Sequence, residues 1–145
     1  MSITYYTENV NLPKKFKKRQ ASQWIKEIIQ NHEKKLGDIV YIFCDDEKIL
    51  EINRQYLQSD YYTDIITFDY TEGVVLSGDL YISVDTVRSN SEKFHTDFLE
   101  ELHRVIIHGI LHLCGYKDKT PTEKKTMRAK EKEALQFLCF RNLAH

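Results

Sequence analysis

The chain has 145 residues, a formal net charge of −1 and three cysteines, and hydrophobic residues make up 41% of it. This length and composition suit one domain with a hydrophobic core that needs no disulfide bonds, and the charge balance excludes a broadly basic nucleic-acid coat while leaving room for a local basic patch. Cys44, Cys114 and Cys139 are widely spaced and odd in number, which predicts free thiols in a reducing compartment.

The N-terminal segment MSITYYTENVNLPKKFKK has no long apolar stretch of the kind found in secretory signals. No apolar run in the chain approaches the roughly 18 residues that indicate a membrane-spanning helix. We therefore expect a soluble, cytoplasmic protein with no membrane partner, folded as a single domain over residues 1–145.

The first half of the chain alternates strand and helix signals. Residues 2–10 are β-prone and suit an edge strand, and residues 14–35 show helical spacing with one apolar side formed by Phe16, Trp24, Ile25, Ile28 and Ile29. Gly37 is placed to end this helix. Its basic start, KKFKKRQ, is either a solvated helix face, which we favour, or a patch that contacts phosphate.

The middle of the chain predicts three strands and a second helix. IVYIFC (39–44) is a β-branched run typical of a buried strand. Asp45 and Asp46 can cap a helix over DEKILEINRQYL, whose inward positions are Ile49, Leu50, Ile52 and Tyr56. Two strands follow, IITFDY (65–70) and VVLSGDLYISV (74–84), and the second alternates cleanly at Leu80, Ile82 and Val84.

In the last third of the chain the residue pattern becomes typical of helices from about Ser91. Asp97 and Glu100 resemble a capping box before a helix that is apolar around most of its circumference and should be buried. Thr122 and Glu123 open a final helix, charged outside, with inner positions at Met127, Ala134, Leu135 and Leu138. The order β-α-β-α-β-β-α-α predicts an α+β or α/β-like fold, with a mixed sheet of about four strands flanked by about five helices.

Two histidines stand out in the buried helix, in the segment HGILHLCGYKDK (108–119). His108 and His112 lie one turn apart on one helix face, so both imidazoles can aim at one point, which makes half of a zinc site. Gly115 suits a left-handed exit from the helix, after which Asp118, the only acid in this window, can supply a third ligand. Such a set leaves one tetrahedral position for water, as in catalytic zinc sites.

Structural roles compete with metal binding at these residues. A buried histidine usually satisfies a backbone carbonyl and an aspartate after a helix often caps a turn, so spacing alone gives about even odds of a metal site. His95 and His103 are predicted to be surface residues, and Cys114 to pack in the core. Gly109 occupies the place where an H-E-x-x-H metalloprotease carries its glutamate base, which disfavours peptidase chemistry.

The same segment resembles the H-G-x-L-H-L-x-G-Y-D-H signature of the YbeY family of bacterial rRNA-maturation endoribonucleases. Asn53 with TDIITF (63–68) resembles that family's N…T-[DN]-[VI]-L-S-F block, and SGDLYIS (77–83) resembles its L-G-D-[IL]-x-I-[SC] strand. The blocks match in order and spacing, and together they cover most of the chain.

This resemblance implies a mixed sheet with helices on its faces, one zinc ion and single-strand-specific cleavage of RNA. In that family the activity serves maturation of the 3′ end of 16S rRNA and ribosome quality control. The implied partners are therefore rRNA, the small ribosomal subunit and ribosome-associated proteins. The metal ligands carry over as His108, His112 and Asp118.

The chain departs from the family pattern near its predicted site. Asp118 stands where the third ligand is usually histidine, and Lys117 stands where the signature has aspartate. Aspartate is a competent zinc ligand, but it changes the charge of the site and can change its metal preference. Leu57 replaces the family's arginine, for which Arg54 is a substitute or an ordinary surface residue, and Tyr62 replaces a proline.

The predicted mechanism is metal-assisted hydrolysis of a phosphodiester bond. A zinc ion would lower the pKa of its bound water toward about 7, so that hydroxide attacks phosphorus or deprotonates a ribose 2′-OH, or it would polarise a phosphoryl oxygen. Two rival functions stay open: a non-catalytic ribosome-associated factor with a structural zinc, and a metal-dependent hydrolase of another substrate.

Six polar residues are candidates for the remaining roles, and each has a structural alternative as a solvated cation or a turn residue. Arg54, Lys117 and Lys119 are candidates for stabilising phosphate charge. Thr63 and Asp79 are candidates for substrate contacts or for outer contacts to the ligands. Asp64 is a weak candidate for the general base.

Overall fold

The computed structural model describes residues 1–56 and 63–143, with the side chains of 139–143 excepted. Along these residues the order is β1 (Ser2–Thr7), α1 (Lys18–Asn31), β2 (Lys35–Cys44), α2 (Asp46–Tyr56), β3 (Ile65–Asp69), β4 (Val75–Ser83), α3 (Val84–Lys93), α4 (Phe98–Leu113) and α5 (Pro121–Leu143). The predicted class, a mixed sheet of about four strands with about five helices, is confirmed.

The sheet has the order β1-β2-β4-β3, and β3 is its antiparallel edge. β1 and β2 pair in parallel, as do β2 and β4. Buried residues of α1, α3, α4 and α5 form one large core with the strands, whereas α2 packs a small separate cluster with Ile66 and Cys44. Parallel strands covered by helices on both faces carry near-continuous apolar residues, which is why β2 was recognisable in the sequence.

Helix α4 lies in the middle of the core and contacts β3, β4, α1, α3 and α5. The Tyr41 hydroxyl of β2 donates a hydrogen bond of 2.8 Å to the carbonyl of Ile106 in α4. At Gly109 a β-carbon would run into the side chains of Leu80 and Ile65. The glycine therefore lets α4 approach the sheet closely, and any larger residue there would force the side chains of Leu80 and Ile65 to move.

Gly37 does not end the first helix, so this prediction was wrong. Helix α1 ends at Asn31, and Glu33 takes up the left-handed backbone conformation with φ of 57°. Gly37 lies inside β2, where a β-carbon would collide with the Ser77 side chain and the Leu76 carbonyl of β4. A glycine at a tight approach between strands gives the same signal in a sequence as a helix-ending glycine.

The structure adds a helix between the last strand and the buried helix. The strand was predicted to continue to Val84 and the helix to begin near Ser91, but β4 ends at Ser83 and α3 begins at Val84. The Ser83 hydroxyl accepts a hydrogen bond from Thr86 N and so caps α3, although buried Val84 continues the strand's alternation. The predicted cap at Asp97 is confirmed, because its carboxylate accepts a hydrogen bond from Leu99 N at 3.1 Å.

Three predictions about burial need separate outcomes. Tyr56 was expected to point inward but is 60% exposed, and Asn53 is the buried polar residue of α2. His103 was expected at the surface but is only partly exposed and packs against Phe16 and Trp24, whereas His95 is exposed as predicted.

Cys44 and Cys114 are free thiols. None of the helices in the described ranges is both long and apolar enough to cross a bilayer.

Candidate metal centre

Helix α4 presents His108 and His112 on one face, with His112 in its last turn and His108 one turn earlier. Their ring centroids lie 4.5 Å apart with an angle of 85° between the planes. Gly115 N donates to the carbonyl of His112 and Tyr116 N donates to that of Leu111, which is the Schellman pattern of a helix end. Gly115 has φ of +108°, so the predicted left-handed exit at this glycine is confirmed.

A short turn, residues 114–120, connects α4 to α5 and carries Asp118; we call it the ligand turn. Its far end is held by a capping box, in which Glu123 N donates to Thr120 Oγ1 and Thr120 N donates to Glu123 Oε1. These bonds at the Thr120 backbone and side chain lower the pKa of the Glu123 carboxyl. The cap of the last helix is therefore Thr120, which corrects the prediction that Thr122 opens it.

The ligand turn brings Asp118 to the two histidines. Asp118 Oδ2 lies 3.3 Å from His108 Nε2 and 3.6 Å from His112 Nε2. We call these three side chains the metal cluster. Each offers one ligand atom, and the three atoms lie within 4.8 Å of one another. A tetrahedral ion with ligands about 2.0–2.2 Å away separates those ligands by about 3.3–3.6 Å, so the spacing fits a zinc-sized ion.

The electrostatics of the metal cluster also fit a cation. Burial and the neighbouring charge of His108 lower the pKa of the His112 imidazole, against the opposing effect of Asp118. A lowered pKa favours the neutral imidazole, which is the form that binds metal. Two imidazole nitrogens with one carboxylate form a donor set that suits zinc.

Glu131 is a site residue that the sequence analysis missed. Its carboxylate Oε2 lies 2.6 Å from His108 Nδ1, and Glu131 is only 2% exposed. Burial alone would raise the pKa of this carboxyl, but the hydrogen bond with His108 and the charge of Arg104 hold it below its usual range. A signal was present: Glu131 follows Met127 by four residues, on the inner stripe of a helix assumed to be charged only outside.

Arg104 is the second missed residue, and it links three acidic side chains. Its Nε and Nη2 donate to the two carboxylate oxygens of Glu101, both at 2.8 Å, and its Nη1 donates to Glu131 Oε1 at 3.0 Å. Asp64 Oδ2 lies 3.5 Å from Arg104 Nη2. Burial would lower the pKa of the guanidinium, but Glu101 and Glu131 raise it above its usual range. Arg104 precedes His108 by one helical turn, a signal that spacing offered.

Two clefts meet at the metal cluster. The large cleft, about 630 Å³, runs from the cluster along β3 and is lined by Asn53, Thr63, Asp64, Thr67 and Lys119 among others. The small cleft, about 270 Å³, lies between α4 and α5 and is lined by Asp64, Arg104, Lys124 and Arg128 among others. His108, Asp118 and Asp64 line both clefts, so any substrate that fills them passes the metal cluster.

The structure separates the other predicted residues into two groups. Thr63, Asp64 and Lys119 line the large cleft beside the metal cluster. Lys117 and Arg54 are exposed and are not among the described residues that line either cleft. Asp79 lines a separate groove with Val40 and Tyr70 and does not join the cluster. Leu57 and Tyr62 lie outside the described residues.

Comparisons with known proteins cover almost the whole chain. It is 64% identical over 138 residues to the endoribonuclease YbeY of Parabacteroides distasonis, and these residues make up 95% of this chain and 96% of that one. It is 62% identical over 135 residues to that of Bacteroides fragilis, covering 93% and 96% of the two chains. For the Porphyromonas gingivalis relative of the same name the identity is 52% over 136 residues, or 94% and 89% of the chains.

A solved structure supports the same relationship. A Thermotoga maritima protein, determined in solution, superposes with a TM-score of 0.67 at 26% sequence identity, over 99% of this chain and 93% of that one. The family model described as endoribonuclease YbeY matches residues 3–139. This range contains the whole metal cluster and all of the sheet except Ser2, the first residue of β1. The chain belongs to the endoribonuclease YbeY family.

Proposed function

We propose that this protein is a zinc-dependent endoribonuclease that hydrolyses single-stranded RNA at the metal cluster. Membership of an endoribonuclease family supports the reaction class. The observation that carries the assignment to this site is the convergence of His108, His112 and Asp118 where two open clefts meet. Within the described part of the chain, the group that could hold an ion contains these three side chains and no fourth, as expected of a catalytic zinc site.

The residues around that ion have separate roles in the proposed reaction. When bound, zinc supplies Lewis acidity, which polarises a phosphoryl oxygen and makes water a stronger nucleophile near neutral pH. His108, His112 and Asp118 hold the ion, and the buried face of α4 keeps the two imidazoles from moving. Asp64 lines both clefts beside the cluster, so we assign it as the acceptor of the proton that the nucleophile loses.

Cationic side chains along the clefts serve the phosphate backbone. Lys119 lines the large cleft, and Lys124 and Arg128 line the small one. All three are exposed, so each contributes modestly and the sum depends on ionic strength. The geometry favours Lys119 over Arg54 and Lys117 as a phosphate contact.

We further propose that the biological substrate is the 3′ region of 16S rRNA in the small ribosomal subunit, in the cytoplasm. Family membership supports this substrate and ribosome-associated proteins as partners. A net charge of −1 suits a protein that holds RNA in a local groove and not over its whole surface.

The test compares the wild type with Asp118→Ala. Zinc per chain is measured after purification, and both forms are incubated with single-stranded RNA from the 16S 3′ region and with a duplex of the same sequence. We expect one zinc per wild-type chain, cleavage of the single strand only, and loss of both zinc and cleavage in Asp118→Ala. Asp38→Ala is the matched control, because Asp38 is exposed and, among the residues that the structure describes, forms its ion pair with the amino group of Met1.

Three other results would contradict the proposal or a part of it. A zinc-loaded wild type that binds RNA without cleaving it would support the non-catalytic factor with a structural zinc. Cleavage by Asp118→Ala at the wild-type rate would remove the metal cluster from the reaction. RNA affinity that stays constant as salt rises would contradict binding through phosphate contacts.

A further inference from the structure

We infer that Glu131 is a positioning residue of the metal centre: it holds His108 with Nδ1 turned toward α5 and Nε2 turned toward the metal, and Arg104 fixes Glu131 for this task. The inference rests on the metal centre of the proposed function and assigns to it two residues that do not touch the ion. It is carried by the contacts among three side chains on two helices.

The first step is the direction of the hydrogen bond at His108. Glu131 Oε2 lies 2.6 Å from His108 Nδ1, a close contact just below the usual range of about 2.7–2.9 Å for a charge-assisted hydrogen bond. A carboxylate can only accept, so the hydrogen resides on Nδ1. The lone pair is then on Nε2, the nitrogen that lies 3.3 Å from Asp118 and faces the metal cluster. A carboxylate that accepts from a ligating histidine sets its tautomer and makes it a stronger donor to the metal.

The second step is the restraint on Glu131 itself. One carboxylate oxygen accepts from Arg104 at 3.0 Å while the other meets His108, so rotation of the group would break one of the two contacts. Arg104 is held in turn by two bonds to Glu101, one turn earlier on α4. The side chains of Glu131, Glu101 and Arg104 are only 3%, 5% and 16% exposed, so water competes little for these bonds.

The third step is the contrast with His112. The hydrogen bond that acts on the His112 imidazole involves the backbone of Tyr116, which lies in the ligand turn only four residues further along the chain. His108 depends instead on a side chain from a different helix, 23 residues further along the chain. Helix α5 and the turn before it therefore supply both the third ligand, Asp118, and the group that orients the first.

The test measures zinc affinity by competition with a chelator of known affinity. Glu131→Gln keeps the shape of the side chain and removes its charge, and we expect zinc affinity to fall about 10–100-fold, the usual loss for an outer partner of a ligand. Glu133→Gln is the matched control, because it makes the same change on an exposed face of α5. Wild-type affinity in Glu131→Gln would overturn the inference.

A second measurement needs no variant and so does not depend on whether Glu131→Gln folds. Long-range ¹H–¹⁵N spectra of the zinc-loaded wild type distinguish the two ring nitrogens of each histidine. We expect the proton of His108 on Nδ1 and the metal on Nε2, and the reverse arrangement would overturn the inference. A purely structural Glu131 would not dictate this pattern. Failure of the wild type to bind zinc at all would instead contradict the metal centre of the proposed function.

The contribution of Arg104 is tested by Arg104→Lys, which keeps the charge and loses the planar fork. We expect zinc affinity to fall by less than in Glu131→Gln but measurably below the wild type. Arg19→Lys is the control, since Arg19 is exposed on α1 and lines neither cleft. Unchanged affinity in Arg104→Lys would remove Arg104 from the positioning role and leave that of Glu131 intact.

Discussion

Helix α4 and the ligand turn supply the same metal cluster from opposite kinds of structure. Most of α4 is buried, and the helix packs against the sheet and α5. The ligand turn is mostly exposed, and Asp118 is itself 39% exposed. The site therefore has a rigid half, which the core holds in place, and an adaptable half, the ligand turn, which is anchored only by a helix cap at each end. Asp118, the position where the resemblance to the family signature leads one to expect histidine, lies in the adaptable half.

The largest effect should come from breaking the rigid half at Arg104. Arg104→Met leaves the buried carboxylates of Glu101 and Glu131 without their shared cation, which should lower the free energy of unfolding by about 3–5 kcal/mol. Urea unfolding of the metal-free protein measures this loss. Arg128→Met, at a side chain that is 63% exposed, should stay within about 0.5 kcal/mol of the wild type. Equal losses in the two variants would contradict a distinction between the buried and exposed arginines.

Exchanging the two ligand types, histidine and aspartate, between α4 and the ligand turn should affect zinc affinity unequally. Asp118→His should still bind one zinc per chain, because the exposed ligand turn can adjust to a longer side chain. His112→Asp should lower zinc affinity by more than the roughly 100-fold that loss of an outer partner costs, because α4 cannot move to bring a shorter side chain to the ion. Chelator competition gives both affinities. Similar losses in both exchanges would show that the two halves are equally rigid.

A smaller effect is expected at Gly109, where α4 meets the sheet. Gly109→Ala adds a β-carbon that collides with Leu80, and overpacking typically costs about 1–3 kcal/mol, of which the better helix propensity of alanine offsets at most about 1. Urea unfolding should therefore show a net loss of about 1–2 kcal/mol. The double variant Gly109→Ala with Leu80→Val should lose less than the sum of the two single changes. Strict additivity would mean that the two residues do not press on each other.

The smallest effect concerns the adaptable half. Thr120→Ala removes the oxygen that accepts a hydrogen bond from Glu123 N, and loss of such a cap costs about 1 kcal/mol. The same change at Thr122, one position inside the helix and exposed, should alter the free energy of unfolding by less than about 0.5 kcal/mol. A larger effect at Thr122 than at Thr120 would restore Thr122 as the residue that opens α5.

The sequence predicted those parts of the fold and site that depend on local periodicity. The apolar spacing of α4, the cap at Asp97 and the left-handed glycine at position 115 are local features, and each is present in the structure. The predicted end of β4 was wrong because Val84 fits the alternation of the strand although it is the first inward residue of α3. Gly37 failed because one glycine can serve a helix end or a close strand contact.

The outer part of the site was hidden for a different reason. Glu131 and Arg104 are charged residues inside helices, where charge normally indicates a solvated face. Their roles depend on the meeting of α4 with α5, a tertiary contact that spacing along one helix does not describe. A glutamate on the apolar stripe of α5 and an arginine one turn before His108 were the only clues, and neither names its partner.

The two caps of the ligand turn have a consequence for how this segment can vary among relatives. The Schellman bonds at Gly115 and Tyr116 fix where the turn begins, and the box of Thr120 and Glu123 fixes where it ends. Insertion or deletion of one residue between them would carry Asp118 away from the histidines, whereas exchange of a side chain leaves the path intact. The geometry of this segment therefore tolerates the exchange of an exposed side chain better than a change of length.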